Sequence, residues 1–306
     1  MIQVERSLSM ENVIDQRKVD GETVIRKEKR VIILFAAIAL LSGWIGLLVD
    51  MVIPEQVDEQ TLGMGIWLVL PFLSGIVIRA VRRDWRDIGV KPVLKGNLRW
   101  YGFSILVFPA VMLLFTLTAR IMGLVSISSF EAAAMVPVLT SLFLGLFIKN
   151  IFEDFAWQGF LTPKLVKTKI SDLKIYLVVG LVWAFWHAPY YLYFLPDGFY
   201  SSMSARVLDA FVISPVVITI WAVMFVEITR LTGSVWPAVL MHAVEDAVPN
   251  FLVFEEKIIQ FTGIGDVLFN PINGILPLIT FLLIGLWLRK QRISRGVEPI
   301  LKKHNA

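Results

Sequence analysis

Residues 133–161 read AAMVPVLTSLFLGLFIKNIFEDFAWQGFL. A membrane-spanning helix needs roughly 20 mostly apolar residues, and this stretch is longer than that. It stays apolar around Lys149, Glu153 and Asp154. Ionisable groups at such a depth are costly and mark function by default. The stretch therefore sets two expectations at once: a helix that crosses a bilayer, and chemistry carried inside it. Pro163 and Lys164 are expected to mark its end.

Seven further segments meet the same length criterion, near Val31–Val49, Leu62–Ile78, Trp100–Thr118, Ile175–Leu195, Val207–Ile228, Val235–Phe254 and Ile272–Leu288. Composition agrees. Of the 306 residues 57% are apolar and 18% charged, with a mean hydropathy of +0.71, against about 45–50% and about 25% in soluble domains. The expected fold is all-α, a polytopic integral membrane protein of about eight transmembrane helices. Residues 31–289 would form the membrane domain, flanked by a solvated polar tail (1–30) and a basic tail (290–306). Pro109, Pro137, Pro189, Pro215 and Pro277 fall within spans, where neighbouring helices can satisfy the freed backbone groups. The chain has no cysteine, which excludes disulfides, thiolate nucleophiles and Cys-ligated metal sites. The net charge of +4 is not gathered on a soluble domain, so no nucleic-acid partner is expected.

Lysine and arginine favour cytoplasmic loops. With eight spans, 25 of the 29 basic residues fall on one side and three on the other, and Lys149 lies within a span. This alternation places both termini in the cytoplasm. The membrane would be the plasma membrane in a prokaryote. The loop after the first span is acidic (Asp50, Glu55, Asp58, Glu59), and His304 reads as a solvated residue of the basic tail.

The polar residues within spans converge. Lys149, Glu153, Asp154 and Gln158 lie on the fourth, His187 on the fifth, and His242, Glu245 and Asp246 on the seventh. Lys149 and Glu153, and likewise His242 and Asp246, are four residues apart and share helix faces. Glu153 and Asp154 point about 100° apart and call for different partners. At 1.5 Å per residue, Glu153, His187 and His242 lie about 15, 20 and 10 Å from the inner ends of their spans, within reach of one another. Two carboxylates and two histidines from three helices make a water-activating site. A proton relay in a carrier would use the same residues.

The spacing is similar to that of a known family. Glu153-Asp154-Phe-Ala-Trp-Gln158-Gly159 resembles the EExxxR-G signature of the CPBP family, the CAAX proteases and bacteriocin-processing enzymes also called Abi. Trp183-Ala-Phe-Trp-His187-Ala-Pro resembles its FxxxH motif. Gly233-Ser-Val-Trp-Pro, followed by His242-Ala-Val-Glu-Asp246, resembles its third motif, HxxxN/D. The motifs come in family order over roughly 143–248, and Asp87-Ile-Gly-Val resembles the family's short linker. By that resemblance Glu153 is the general base, His187 holds or polarises the water, and His242 and Asp246 bind the scissile carbonyl and its oxyanion. The second acidic residue normally braces the site by pairing with the motif's arginine. Here those positions are Asp154 and Gln158, and Gln removes a bidentate, always-charged donor. Asp154 and Gln158 can still hydrogen-bond to each other if suitably turned, with Lys149 replacing part of the lost positive charge. Asp246 in the asparagine position would need to be protonated or paired to His242.

The resemblance implies an intramembrane endopeptidase of the glutamic type. It would hydrolyse a peptide bond of a membrane-associated substrate, CAAX-like or leader- and bacteriocin-like. Its partners would be that peptide and the lipid bilayer. No cofactor or metal is favoured, and no HExxH occurs. Zinc, if bound, would be held by Glu153, His187 and His242. Two rival readings use the same residues: a catalytically inactive relative that binds a membrane partner, and a small proton-coupled transporter. Gly263-Ile-Gly265-Asp266 matches the GxGD string of aspartyl intramembrane proteases but falls in an outer loop, and Leu195-Pro-Asp-Gly198 reads as a turn.

Overall fold

The computed structural model describes residues 2–53, 61–196 and 200–296. It is 79% helical. Helices α1 (Ile2–Val52), α2 (Leu62–Arg82) and α3 (Leu98–Ile121) lead to a short strand β1 (Val125–Ile127). Helix α4 (Ala132–Ala156) runs through a π-helical turn (Trp157–Leu161) into α5 (Thr162–Lys167). Next come α6 (Asp172–Trp186), a π turn (Tyr190–Phe194), α7 (Met203–Leu208), a π turn (Asp209–Ile213) and α8 (Ser214–Thr232). Helix α9 (Trp236–Glu245) continues as a π segment (Asp246–Glu255). Strand β2 (Ile259–Phe261), α10 (Ile264–Phe269) and α11 (Ile275–Ser294) complete the order. The strands pair antiparallel, Val125 opposite Phe261, and join two connections on the same side of the helices.

Six helical stretches are long and apolar enough to cross a membrane: Gly21–Val52, Leu62–Arg82, Leu98–Ile121, Met135–Lys167, Asp172–Phe194 and Met203–Thr232. The chain is a multi-pass integral membrane protein. The expected seventh and eighth spans are also helical, but His242, Glu245 and Asp246 in one and Arg289, Lys290 and Arg292 in the other dilute their apolar content. The length and hydropathy of the helices thus bear out six crossings, not the full eight.

Two boundaries differ from expectation. The polar tail is not separate from the first span: α1 runs through it without a break. The Glu, Lys and Arg of that tail are good helix formers, and Glu28 is buried against Arg82 at 2.5 Å. Nor does the fourth span end at Pro163, because the helix continues to Lys167. Proline lacks an N–H and its ring crowds the carbonyl four residues back. The π turn widens the helix there, with Thr162 N donating to Trp157 O, five residues back. The crowded carbonyl, that of Gly159, accepts from Arg79 Nη2 at 2.5 Å. All four π segments have this companion: Pro163, Pro189, Pro215 and Pro249 lie beside or inside them, as expected where an inserted residue relieves a proline clash. Arg79 and Lys164, counted as loop residues from the sequence, are buried in helices. Asp197 and Gly198 of the expected turn, the acidic loop residues Glu55, Asp58 and Glu59, and His304 with the rest of 297–306 lie outside the described residues.

Close packing positions the site-bearing helices. A Cβ on Gly180 of α6 would meet the Thr219 backbone of α8, so only glycine lets the two helices approach this far. Near the end of α6, Trp67, Trp186 and Tyr190 form a stack with centroids 4.2 and 4.8 Å apart. Trp67 Nε1 donates to Trp186 O at 2.9 Å, and Trp186 Nε1 donates to Ser42 Oγ at 3.1 Å. This fixes the chain immediately before His187.

Candidate active site

Glu153 lies about 27 Å along the helix from Met135 and about 21 Å from Lys167 at 1.5 Å per residue. It is therefore nearer the middle of its span than the sequence suggests, because the helix outlasts Pro163. Its carboxylate is fully buried. Trp183 Nε1 donates to Glu153 Oε1 at 2.6 Å. His187 Nε2 lies 3.5 Å and His242 Nε2 4.0 Å from the same oxygen. Lys149 Nζ is 3.4 Å from Oε2. Helices α4, α6 and α9 thus deliver the sequence-derived residues to one place.

Asp154 faces elsewhere, as the 100° between neighbours requires. Its Oδ2 lies 3.2 Å from His242 Nδ1. The expected Asp154–Gln158 bond does not form: Gln158 Oε1 accepts from Thr162 Oγ1 at 3.0 Å instead. Both Asp154 Oδ1 and Gln158 Nε2 are buried without a hydrogen-bond partner. Asp246 lies within ion-pair distance of His242, as expected, and has two nearer partners besides. Its Oδ2 is 3.9 Å from His242 Nε2, but Lys149 Nζ lies at 3.0 Å and Asn150 Nδ2 donates at 2.9 Å. Lys149 therefore pairs with Glu153 and Asp246.

The histidine orientations carry chemical information. His187 Nδ1 lies 3.0 Å from the Trp183 carbonyl. A carbonyl only accepts, so Nδ1 carries a hydrogen. In the neutral ring Nε2 is then bare and faces a carboxylate oxygen. Two acceptors face each other there, the arrangement that a water donating to both would complete. His242 has carboxylates at both nitrogens, Asp154 at Nδ1 and Glu153 and Asp246 at Nε2.

Sequence reasoning missed two contributors. Trp183 reads as an apolar motif residue, yet it supplies the shortest bond to Glu153. Asn150 sits one position after Lys149, and its amide inside an apolar run was the available signal. The metal question also takes a different form. His242, Glu245 and Asp246 have donor atoms within 4.8 Å of one another, a different set from Glu153, His187 and His242. The Lys149 ammonium stands 3.0 Å from Asp246 and 3.4 Å from Glu153. A resident cation in that position repels a second one, so both donor sets fit a divalent metal poorly.

The other motif residues hold the site's frame. Gly89 sits at φ +70°, where L side chains are strained, and a Cβ there would crowd Val235 at 3.0 Å. Its carbonyl accepts from Val235 N at 3.0 Å, and Val90 O accepts from Trp236 Nε1 at 2.6 Å. Asp87 pairs with Arg79 at 2.5 Å, the same arginine that holds Gly159. Asp87-Ile-Gly-Val is thus a knot between the end of the first motif and the start of the third. Asp266 of the GxGD string accepts from Asn270 at 2.8 Å, a local helix contact.

Among known proteins, residues 134–248 match the family model described as type II CAAX prenyl endopeptidase Rce1-like. No curated protein matches significantly. The matched stretch holds all three motifs and every residue that meets at Glu153, and it is similar to the Rce1-like members of the CPBP family, which are intramembrane proteases.

Proposed function

We propose that the chain is an active glutamic-type endopeptidase that cuts a CAAX-like or leader-like peptide at the membrane, with Glu153 as general base. The carrying observation is the approach of His187 Nε2 and His242 Nε2 to one oxygen of a buried carboxylate. Water donating to Glu153 and His187 is polarised for attack on the scissile carbonyl. Glu153 takes one proton and passes it to the leaving amine, in the usual division of acid–base work. Asp154 acts through His242, holding its ring by Nδ1. The low dielectric of the setting strengthens each of these charges. No metal has a part in this scheme.

Quantitative terminal-peptide proteomics of membranes tests the reading, comparing cells with the wild-type chain, Glu153→Ala and a gene deletion. New termini present in wild type and lost equally in both others are expected, and they would name the substrate. If Glu153→Ala matches wild type while the deletion differs, the chain acts by binding and proteolysis is excluded.

A further inference from the structure

By the resemblance, His and Asn or Asp hold the scissile carbonyl oxygen, and this chain has Asp246 in the second place. An ionised carboxylate donates no hydrogen bond. His242 is hemmed in by three carboxylates, and its side chain is 6% exposed. A different donor is needed for the oxygen that becomes negative.

Lys149 has the required properties. Its side chain is 28% exposed, against 14% for Asp246, 12% for His187 and none for Glu153, so it is the part of the cluster an incoming peptide meets first. An ammonium has three N–H donors. One of them donates to Asp246 at 3.0 Å and a second points to the ion-paired Glu153 at 3.4 Å, which leaves the third for a ligand. Asp246 anchors the ammonium, and Asn150 Nδ2 donates to the same Asp246 Oδ2 at 2.9 Å, which fixes the carboxylate that the lysine leans on.

We propose that Lys149 is a catalytic residue, the oxyanion donor of this protease, and that Asp246 positions it. The inference rests on the endopeptidase reading above. Glu153 removes a proton from water, and the water oxygen bonds to the carbonyl carbon. The carbonyl π pair moves onto oxygen, and that charge is received by the third Lys149 N–H. Collapse breaks the C–N bond, and the amine leaves with the proton that Glu153 held. Asp246 and Lys149 then act as one unit: where Asn would be a neutral donor, Asp anchors a cation that donates in its stead.

The test uses the full chain in its own membranes, with the rate of appearance of Glu153-dependent termini as readout and the accumulated amount of each variant as control. Removing one oxyanion donor costs about 10²–10³-fold. Lys149→Met is expected to slow cleavage by that factor at unchanged accumulation. Lys149→Arg, which keeps N–H donors, is expected to recover most of the rate. Lys149→Met/Asp246→Ala separates the roles. If the lysine only neutralised Asp246, removing both would restore cleavage; as oxyanion donor it leaves the double variant slow. Full activity in Lys149→Met, or in the double variant, overturns the assignment while leaving the endopeptidase reading intact. Absence of Glu153-dependent termini in the wild type overturns both.

Discussion

One continuous helix, α4 with α5, serves two polar clusters of opposite character. At the α5 end, Lys164 and Lys167 meet Asp84 at 2.5 and 2.8 Å, Lys167 and Arg79 meet Asp87 at 2.9 and 2.5 Å, and Arg82 meets Glu28 at 2.5 Å. Four cations face three carboxylates. Mid-helix, Glu153, Asp154, Glu245 and Asp246 share one lysine and two histidines, and Asp154 Oδ1 and Glu245 Oε1 are buried with no partner. The first cluster has an excess of cations and fastens helices, although Glu28 Oε2 and Asp87 Oδ2 are likewise buried without a hydrogen bond. The second is under-compensated, a state that costs stability and persists in the core of the molecule. A buried excess of carboxylates beside two histidines is suited to holding protons and developing charge.

Removing the central carboxylate is the strongest way to break this contrast. Glu153→Gln is expected to lower cleavage by about 10²–10⁴-fold, the usual worth of a general base. It is also expected to leave the melting temperature in detergent unchanged or raised, since it removes one of four crowded carboxylates. A lowered melting temperature would show that the two clusters are alike in kind.

The opposite outcome is expected at Arg79. It is 1% exposed, and it holds Asp87, the Asp84 carbonyl and the Gly159 carbonyl together. Breaking a buried pair by removing one partner costs about 3–5 kcal/mol. Arg79→Ala should therefore reduce accumulation and thermal stability severely. A stable variant that has lost activity alone would assign the α5 cluster a direct part in the chemistry.

How much of this was legible beforehand follows from what spacing encodes. Apolar run length gave the helices, and charges interrupting those runs gave Glu153, His187, His242 and Asp246 as candidates. Four-residue spacing gave faces, but a face does not name the helix opposite. Asp246 therefore read as a partner of His242 when Lys149 and Asn150 are nearer. Arg79 read as a loop residue because basic residues commonly flank spans, and its burial depends on a carbonyl freed by Pro163, eighty-four positions away. The π turns were legible only as prolines, because hydrophobic periodicity does not distinguish one inserted residue.

Trp183 offers a finer comparison within the site. Family motifs place Phe at this position, and here the indole donates to Glu153 Oε1 at 2.6 Å. Trp183→Phe keeps an aromatic ring and deletes that donor. A hydrogen bond to a charged group is worth about 1.5–3 kcal/mol, and thermal unfolding should show a loss of that size. An unchanged melting temperature would mean that the nearby Lys149 and the histidines hold the carboxylate without it.

The smallest expected effect lies at Asp84, just beyond the end of α2, and concerns pH. Burial would raise its pKa, but the side-chain bonds from Lys164 and Lys167 outweigh burial and hold it well below the ordinary value of 3.8. The folded value is depressed, so the stabilisation is fully present above the unfolded aspartate range and fades as pH falls through it toward the folded value. The wild-type advantage over Asp84→Asn should then be about 1 kcal/mol or less near pH 6, the scale of a pair still reached by solvent, and should shrink toward pH 3. Asp87, held low in the same way by Arg79 and Lys167 against its own burial, remains in the variant, so the acid sensitivity of Asp84→Asn is reduced without being abolished. A difference between the two proteins that stays constant from pH 6 to pH 3 would place the role of Asp84 in packing and remove the charge pairing from the account of that cluster.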